Sequence, residues 1–292
     1  MKQLKGRTAF ITGGGSGIGL GIAESFLKAG MQVVLADLRA DHLDAALTHL
    51  GNNGYASAVH GIRLDVTDRA AMAQAAEDSA RRFGNLHVLV NNAGIGISGP
   101  FDSISYADWD FGMAVNLGGV INGLQTFLPR ILAHGQGGHI VNTSSLQAVV
   151  PMPAQFVIYL TTKAAVLALS ETIRPDLAAK DVGVTVLCPG PVRTNIHELA
   201  KNRPAQFGAS EAFRQVADNY PKLELPGMIE PDRVGALVLQ ALINDEPYIF
   251  THGEWRDAAD ALHRARMAAM PTAVDPALAA LLRQRSQQQE PS

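Results

Sequence analysis

The 292-residue chain is 47% hydrophobic and 17% charged, ample for a large α/β core, and its formal net charge of −3 comes without any run of Lys or Arg. That balance argues against nucleic acid or an anionic membrane as partner and for a small-molecule ligand. Cys188 is the single cysteine, so neither an intramolecular disulfide nor a zinc set with paired cysteines is available.

The N-terminal MKQLKGRTAFITGGG is too glycine-rich for the apolar core of a signal peptide, and no run of 18 apolar residues follows, so a cytoplasmic protein is expected. Short apolar runs then alternate with longer segments of helical period, the pattern of strand-helix-strand units and a parallel sheet covered on both faces. The predicted strands are TAFIT (8–12), MQVVLAD (31–37), SAVHGIRLDV (57–66), HVLVNNA (87–93), GHIVNTSS (138–145), VGVTVLCP (182–189) and PYIFTH (247–252). Between them GLGIAESFLKAG, HLDAALTHLG, AAMAQAAEDSARRFG, YADWDFGMAVNLGGVINGLQTFLPRILAHG and YLTTKAAVLALSETIRPDLAAK read as helices, several closed by Gly. With no internal repeat and no linker, residues 1–292 are expected to form one α/β domain, a doubly wound Rossmann sheet of seven parallel strands. Residues 195–230 break the rhythm just past a strand's carboxyl end, where such sheets bind ligands, and are expected to form a mobile substrate lid. The polar stretch 285–292 is expected to be a flexible tail.

TGGGSGIG (12–19) joins the first strand to the first helix, and Gly13, Ser16, Gly17, Ile18 and Gly19 are the candidate cradle for a pyrophosphate on the helix N-terminus. Asp37 ends the next strand, 20 residues beyond Gly17; an acid there accepts both ribose hydroxyls and repels a 2′-phosphate. With Leu38 after it and Ser16 in the loop, NAD is expected rather than NADP, unless Arg39 swings back to neutralise Asp37.

VIYLTTKAAV (157–166) sets Tyr159 four residues before Lys163, on one helix face with Cβ atoms about 5–6 Å apart. Two readings are open from these residues alone: a proton-handling pair, or a half-buried tyrosine beside a snorkelling lysine. The T-G-x-x-x-G-x-G spacing, the NNAG run of Asn91, Asn92, Ala93 and Gly94, and this Tyr-x-x-x-Lys pair together resemble the short-chain dehydrogenase/reductase family over roughly residues 5–195.

The resemblance implies a hydride-transferring oxidoreductase with Asn116, Ser145, Tyr159 and Lys163 as catalytic residues. Tyr159 would carry the proton, its phenolate favoured by the lysine cation; Lys163 would also hold the nicotinamide ribose, and Ser145 would orient the alcohol or carbonyl oxygen. Asn116, in a helix weakened by two following glycines, would open it for a proton-relaying water, or would simply face solvent. Asp65 and Val66 resemble the adenine-contacting pair, although Asp65 fits equally an N-cap for the next helix. Asn92, Ala93, Pro189, Val192 and Thr194 would complete the cofactor contacts, although Pro189 and Gly190 fit equally a plain turn.

Three departures from the family pattern stand out. Ser145 precedes Tyr159 by 14 residues, one more than usual, which leaves Ser144 as a substitute; Leu160 follows the tyrosine where a smaller residue is commoner; and Pro175 should kink the end of the long helix. That helix commonly forms the dimer face, so a homo-oligomer, dimer or tetramer, is expected. No histidine pair marks a metal site; His197 and Trp109 read as a loop and a core residue.

The stretches VNLGGVINGLQTFLPRILAHGQGGHIVNTSSL and NIHELAKNRPAQFG are similar to the branch holding Cα-dehydrogenases of aryl ethers and reductases of bulky ketones. The implied substrate is a secondary alcohol or ketone, held by Ser145, Leu146, Tyr159 and the lid aromatics Phe207 and Phe213. The competing class is a dinucleotide sensor of the same fold without chemistry.

Overall fold

The computed structural model describes residues 1, 3–150, 152–196, 198, 203–208 and 224–289. Seven strands, β1 (Thr8–Thr12), β2 (Gln32–Asp37), β3 (Val59–Arg63), β4 (Val88–Asn91), β5 (Gly138–Thr143), β6 (Val182–Cys188) and β7 (Tyr248–Phe250), form one sheet in the order β3-β2-β1-β4-β5-β6-β7. Every pairing is parallel. All seven predicted strands are present; β1 matches its expected bounds, the other six are trimmed at their ends, and β3 is the most shortened. The order reverses direction between β1 and β4, and a crevice must open beyond the carboxyl ends there.

Side chains alternate between the two faces along each strand. Ile11, Leu35, Val90 and Leu187 point to one face and pack with Ile22 and Phe26 of α1 (Gly17–Lys28), Leu43 of α2 (Ala40–Leu50) and Val234 and Val238 of α7 (Pro231–Asn244). Phe10, Val34, Leu89 and Ile140 point to the other, against Met72 of α3 (Arg69–Phe83), Phe127 of α5 (Gly119–Ala133) and Val166 of α6 (Val157–Ala178). Phe10 and Phe127 meet ring to ring at 4.3 Å, and burial of each such side chain stabilises the fold by about 2–3 kcal/mol.

A smaller apolar cluster of Ile95, Ile97, Phe111 and Ile158 sits at the crevice end and includes α4 (Tyr106–Met113). The helical run expected across residues 106–135 is interrupted: α4 and α5 are joined by a π-turn, Ala114–Gly118. Helix α6 continues through Pro175 to Ala178.

Glycines set how closely the helices approach. A Cβ on Gly21 of α1 would lie 2.2 Å from the Pro231 carbonyl oxygen, and one on Gly235 of α7 2.0 Å from that of Gly21, so α1 and α7 touch backbone to backbone. Helix α7 was not among the predicted elements, nor were α8 (Arg256–Ala268) and α9 (Pro276–Gln289). Helix α9 runs to Gln289, into the stretch expected to be a tail.

The segment after β6 leaves and returns at one point. Val192 pairs with Ile229 as an isolated parallel bridge, Arg193 N–H donates to the Ile229 carbonyl at 3.0 Å, and Ile229 N–H donates to that of Pro191 at 3.2 Å. The excursion expected as the lid is therefore pinched at its base.

Candidate active site

One cavity of about 540 Å³ runs along the carboxyl ends of the strands. At one end the β1–α1 loop turns through Gly13 (φ +62°) and Gly17 (φ +51°), both in the left-handed region that favours glycine. A Cβ on Gly17 would come within 3.0 Å of Thr194 Cγ2, and one on Gly19 within 2.1 Å of the Gly13 carbonyl oxygen. Gly19 thus seats helix on strand and is absent from the cavity wall. No side chain caps the first turn of α1, which leaves the positive end of the helix facing the cavity, a cradle suited to a pyrophosphate.

Asp37 closes this end. Its Oδ2 accepts from Gly15 N–H at 2.9 Å and its Oδ1 from Arg39 N–H at 3.0 Å. The Arg39 guanidinium does not swing back onto Asp37; it pairs with Asp41 and Glu198. Asp65 and Val66 border the same end. Asp65 is not the helix cap: its Oδ1 accepts from Thr67 N–H and Oγ, whereas Asp68 caps α3 by accepting from Ala70 and Ala71 N–H. The end of β4 is held by Thr12, whose Oγ accepts from the N–H groups of Asn92 and Ala93, both at 3.0 Å.

The other end holds Ser145, Tyr159 and Lys163. Lys163 Nζ donates to the Thr143 carbonyl at 2.8 Å and lies 5.7 Å from the centre of the Tyr159 ring. Burial pushes the Lys163 ammonium down to about 8. Asn116 is fully buried in the π-turn and not solvent-facing. Its Oδ1 accepts from Ile95 N–H at 2.8 Å, and its Nδ2 donates to the Ile95 carbonyl and to Thr162 Oγ. A Cβ on Gly94 would lie 3.2 Å from both Asn116 Oδ1 and Lys163 Nζ, so these two polar atoms flank the same glycine.

Ser144 Oγ donates to the Lys163 carbonyl at 2.6 Å, whereas Ser145 Oγ accepts from Gln147 N–H at 3.2 Å. The extra residue between Ser145 and Tyr159 lies in a stretch with two 3-10 turns, Leu146–Ala148 and Ala154–Phe156, the second directly after Pro153. Pro189, Val192 and Thr194 also border the cavity.

The apolar wall differs from expectation. Leu146 lines it, but Phe207 does not: its ring packs on Phe111 at 5.4 Å, away from the cavity. Phe213, Tyr220 and His197 lie outside the described residues. Met152, Phe156, Pro204, Leu225 and Trp255 line the wall instead, together with Met228 from the expected lid. Met152, like Gly96 and Leu146, is expected from the sequence as a fixed wall of the substrate space; Phe156 and Trp255 carry no sequence signal, because each reaches the cavity through tertiary folding from a loop or helix end. Among the described residues no group of three or more His, Cys, Asp or Glu side chains could hold a metal ion.

A family model described as short chain dehydrogenase matches residues 7–204. The chain belongs to the short-chain dehydrogenase/reductase family. This short-chain dehydrogenase/reductase is 37% identical over 264 residues to a C alpha-dehydrogenase of Sphingobium sp. strain SYK-6, which covers 89% of this chain and 85% of the relative. Its fold is similar to that of LigO, apo form, from the same strain (36% identity, TM-score 0.77, 100% of both chains). It is also similar to a short chain dehydrogenase/reductase of Burkholderia phymatum solved in complex with NAD (30% identity, TM-score 0.85, 94% of this chain and 99% of that one).

Proposed function

We propose that the protein transfers hydride between NAD and a secondary alcohol or ketone whose carbinol carbon bears a bulky, aromatic group. The observation that carries this reading is one cavity with Asp37 and the glycine cradle at one end and Ser145, Tyr159 and Lys163 at the other. The residues fit a dinucleotide: the glycine loop leaves room for backbone approach, α1 offers its positive end, and the carboxylate of Asp37 lies where ribose hydroxyls can donate to it.

NAD, when bound, supplies the acceptor or donor of the hydride. The chain supplies the rest. Tyr159 takes the proton from the alcohol oxygen as a phenolate and returns it in the reverse direction. Lys163 holds positive charge beside the phenol and favours that phenolate. Ser145 donates to the substrate oxygen and orients it. Asn116 fixes the loop after β4 by two hydrogen bonds to Ile95 and ties it to Thr162 of α6 by a third, and it keeps the helix open beside Lys163, the place through which a proton would pass to solvent.

The substrate class rests on the cavity wall, where Phe156, Trp255, Met152 and Met228 offer aromatic and thioether surface. The name of the C alpha-dehydrogenase relative supports the same class. A homo-oligomer belongs to this reading, with Leu237, Tyr248 and Phe250 exposed at and beside the β7 edge in support; light scattering reports its size.

Tyr159→Phe tests the chemistry, because it removes the hydroxyl without altering ring volume. Turnover of an aryl carbinol should fall by about 10²–10⁴, while NADH affinity, read from nucleotide fluorescence, stays within twofold or so of wild type. Retention of more than about a tenth of kcat would refute the role of Tyr159 as proton carrier.

A further inference from the structure

One residue, Leu38, separates Asp37 from Arg39, and the position of that guanidinium bears on which dinucleotide the cavity takes. A guanidinium lying over Asp37 would neutralise the carboxylate and present a fork of donors to a ribose 2′-phosphate. In the structure only the backbone N–H of Arg39 reaches Asp37. The side chain is held by two other carboxylates. Nε donates to Asp41 Oδ1 at 2.8 Å and Nη2 pairs with Asp41 Oδ2, while Nη1 donates to Glu198 Oε2 at 2.9 Å.

The two partners differ in origin. Asp41 is local, in the first turn of α2. Glu198 comes from the excursion after β6, 159 positions along the chain. The same excursion is tied down just before that contact and at it: Asn195 Oδ1 accepts from Ser16 Oγ at 3.1 Å, Asn195 Nδ2 meets the His42 ring, and His42 Nε2 lies 3.7 Å from Glu198 Oε2. Side-chain exposure is 17% for Arg39 and 24% for Glu198, so water and salt screen this pair less than a fully exposed one. The hydrogen bond to Arg39 holds the Asp41 carboxyl well below the usual carboxylate range.

We infer that Glu198 is a specificity-determining positioning residue for the cofactor: by gripping Arg39 Nη1 from the excursion after β6 it keeps the guanidinium off Asp37 and off the place of a 2′-phosphate, and so favours NAD. Asp41 alone lies two residues from Arg39, on an exposed turn, and can move with it; Glu198 fixes the other end of the guanidinium to a different part of the molecule. The inference rests on the dinucleotide reading of the cavity given above. It makes cofactor choice depend on a residue of the excursion as well as on the β2–α2 turn.

The test is equilibrium binding of NADH and of NADPH, by nucleotide fluorescence, to the full-length protein and to Glu198→Gln, Arg39→Ala and the double variant. Wild type should favour NADH. Glu198→Gln should raise NADPH affinity relative to NADH by about fivefold, the scale of one partly shielded charge contact. In the Arg39→Ala background the same change should leave the ratio unmoved, since its effect passes through Arg39. The ratio is the diagnostic quantity, because simple loosening of the excursion would weaken both nucleotides alike. An unchanged ratio in Glu198→Gln, or an equal gain with Arg39 absent, would overturn the inference. Wild type that binds neither nucleotide would instead overturn the dinucleotide reading itself.

Discussion

Ser144 and Ser145 adjoin in sequence and both border the cavity, but their hydroxyls have different commitments. Ser144, fully buried, spends its proton on the Lys163 carbonyl, whereas Ser145 accepts from Gln147 N–H and keeps its proton for an oxygen in the cavity. Ser145→Ala should therefore lower kcat by about 10²-fold with NADH affinity retained. Ser144→Ala should remove about 1 kcal/mol of stability and leave most turnover, so thermal unfolding and steady-state kinetics on the pair separate the roles; equal catalytic losses would contradict this division. The sequence left the two serines open because spacing to Tyr159 identifies a neighbourhood and not a hydroxyl's partner. Asn116 was open between burial and exposure for a related reason: polar residues in a helix read alike until the π-turn and the Ile95 backbone that it clamps are known.

Helix α4 carries more than its sequence suggests. Asp108 forms a capping box with Ser105 and, through Oδ1, a buried ion pair with Arg203 Nη1 at 2.8 Å, the two side chains only 4% and 5% exposed. Arg203 also lies over the Phe111 ring and donates to the carbonyls of Phe207 and Gly208. Residues 203–208 are thus pegged to α4, with Pro204 of the cavity wall between Arg203 and the Phe207 ring. Asp108→Asn should remove a buried carboxylate from the guanidinium and lower stability by about 3 kcal/mol, raise KM for an aryl carbinol and leave NADH affinity unchanged. Phe207→Ala should cost large and small alcohols alike, because its ring packs on Phe111; a loss confined to large alcohols would place the ring in the cavity after all. None of this was legible in sequence. Strands, helices and the glycine loop announce themselves through period and local spacing, but Asp108 and Arg203 stand 95 residues apart and their pairing exists only in three dimensions.

Across the whole molecule, two buried groups beside one another set how stability follows pH. Burial pushes Lys163 from its ordinary 10.5 down to about 8 and Cys188 from 9.0 up to about 12. From about pH 8 upward the unfolded chain keeps the Lys163 proton that the folded one sheds, so stability rises with pH. Above about pH 9 the unfolded chain loses the Cys188 proton that the folded one keeps, which opposes the rise up to the unfolded lysine's 10.5. Urea midpoints of the nucleotide-free protein should therefore climb from about pH 8 to 9 and then level off, and Lys163→Met should remove the climb. A climb that survives in Lys163→Met would assign it to another group. At this scale the sequence was most informative: seven apolar runs in a strand-helix rhythm give the sheet, because a parallel strand buried on both faces leaves an uninterrupted signature. Helices α7, α8 and α9 fell outside that rhythm. The closed base of the excursion, Val192 bridged to Ile229 and continuing into α7 pressed on α1, gives it the character of a module plugged into a fixed socket. Doubling a loop between fixed ends costs only about 0.6 kcal/mol. Changes of length in that stretch that keep Glu198, Arg203 and the Val192–Ile229 base are accordingly open to evolution and to protein engineers, while the sheet, the glycine turn and the Tyr159–Lys163 pair are inherited unaltered.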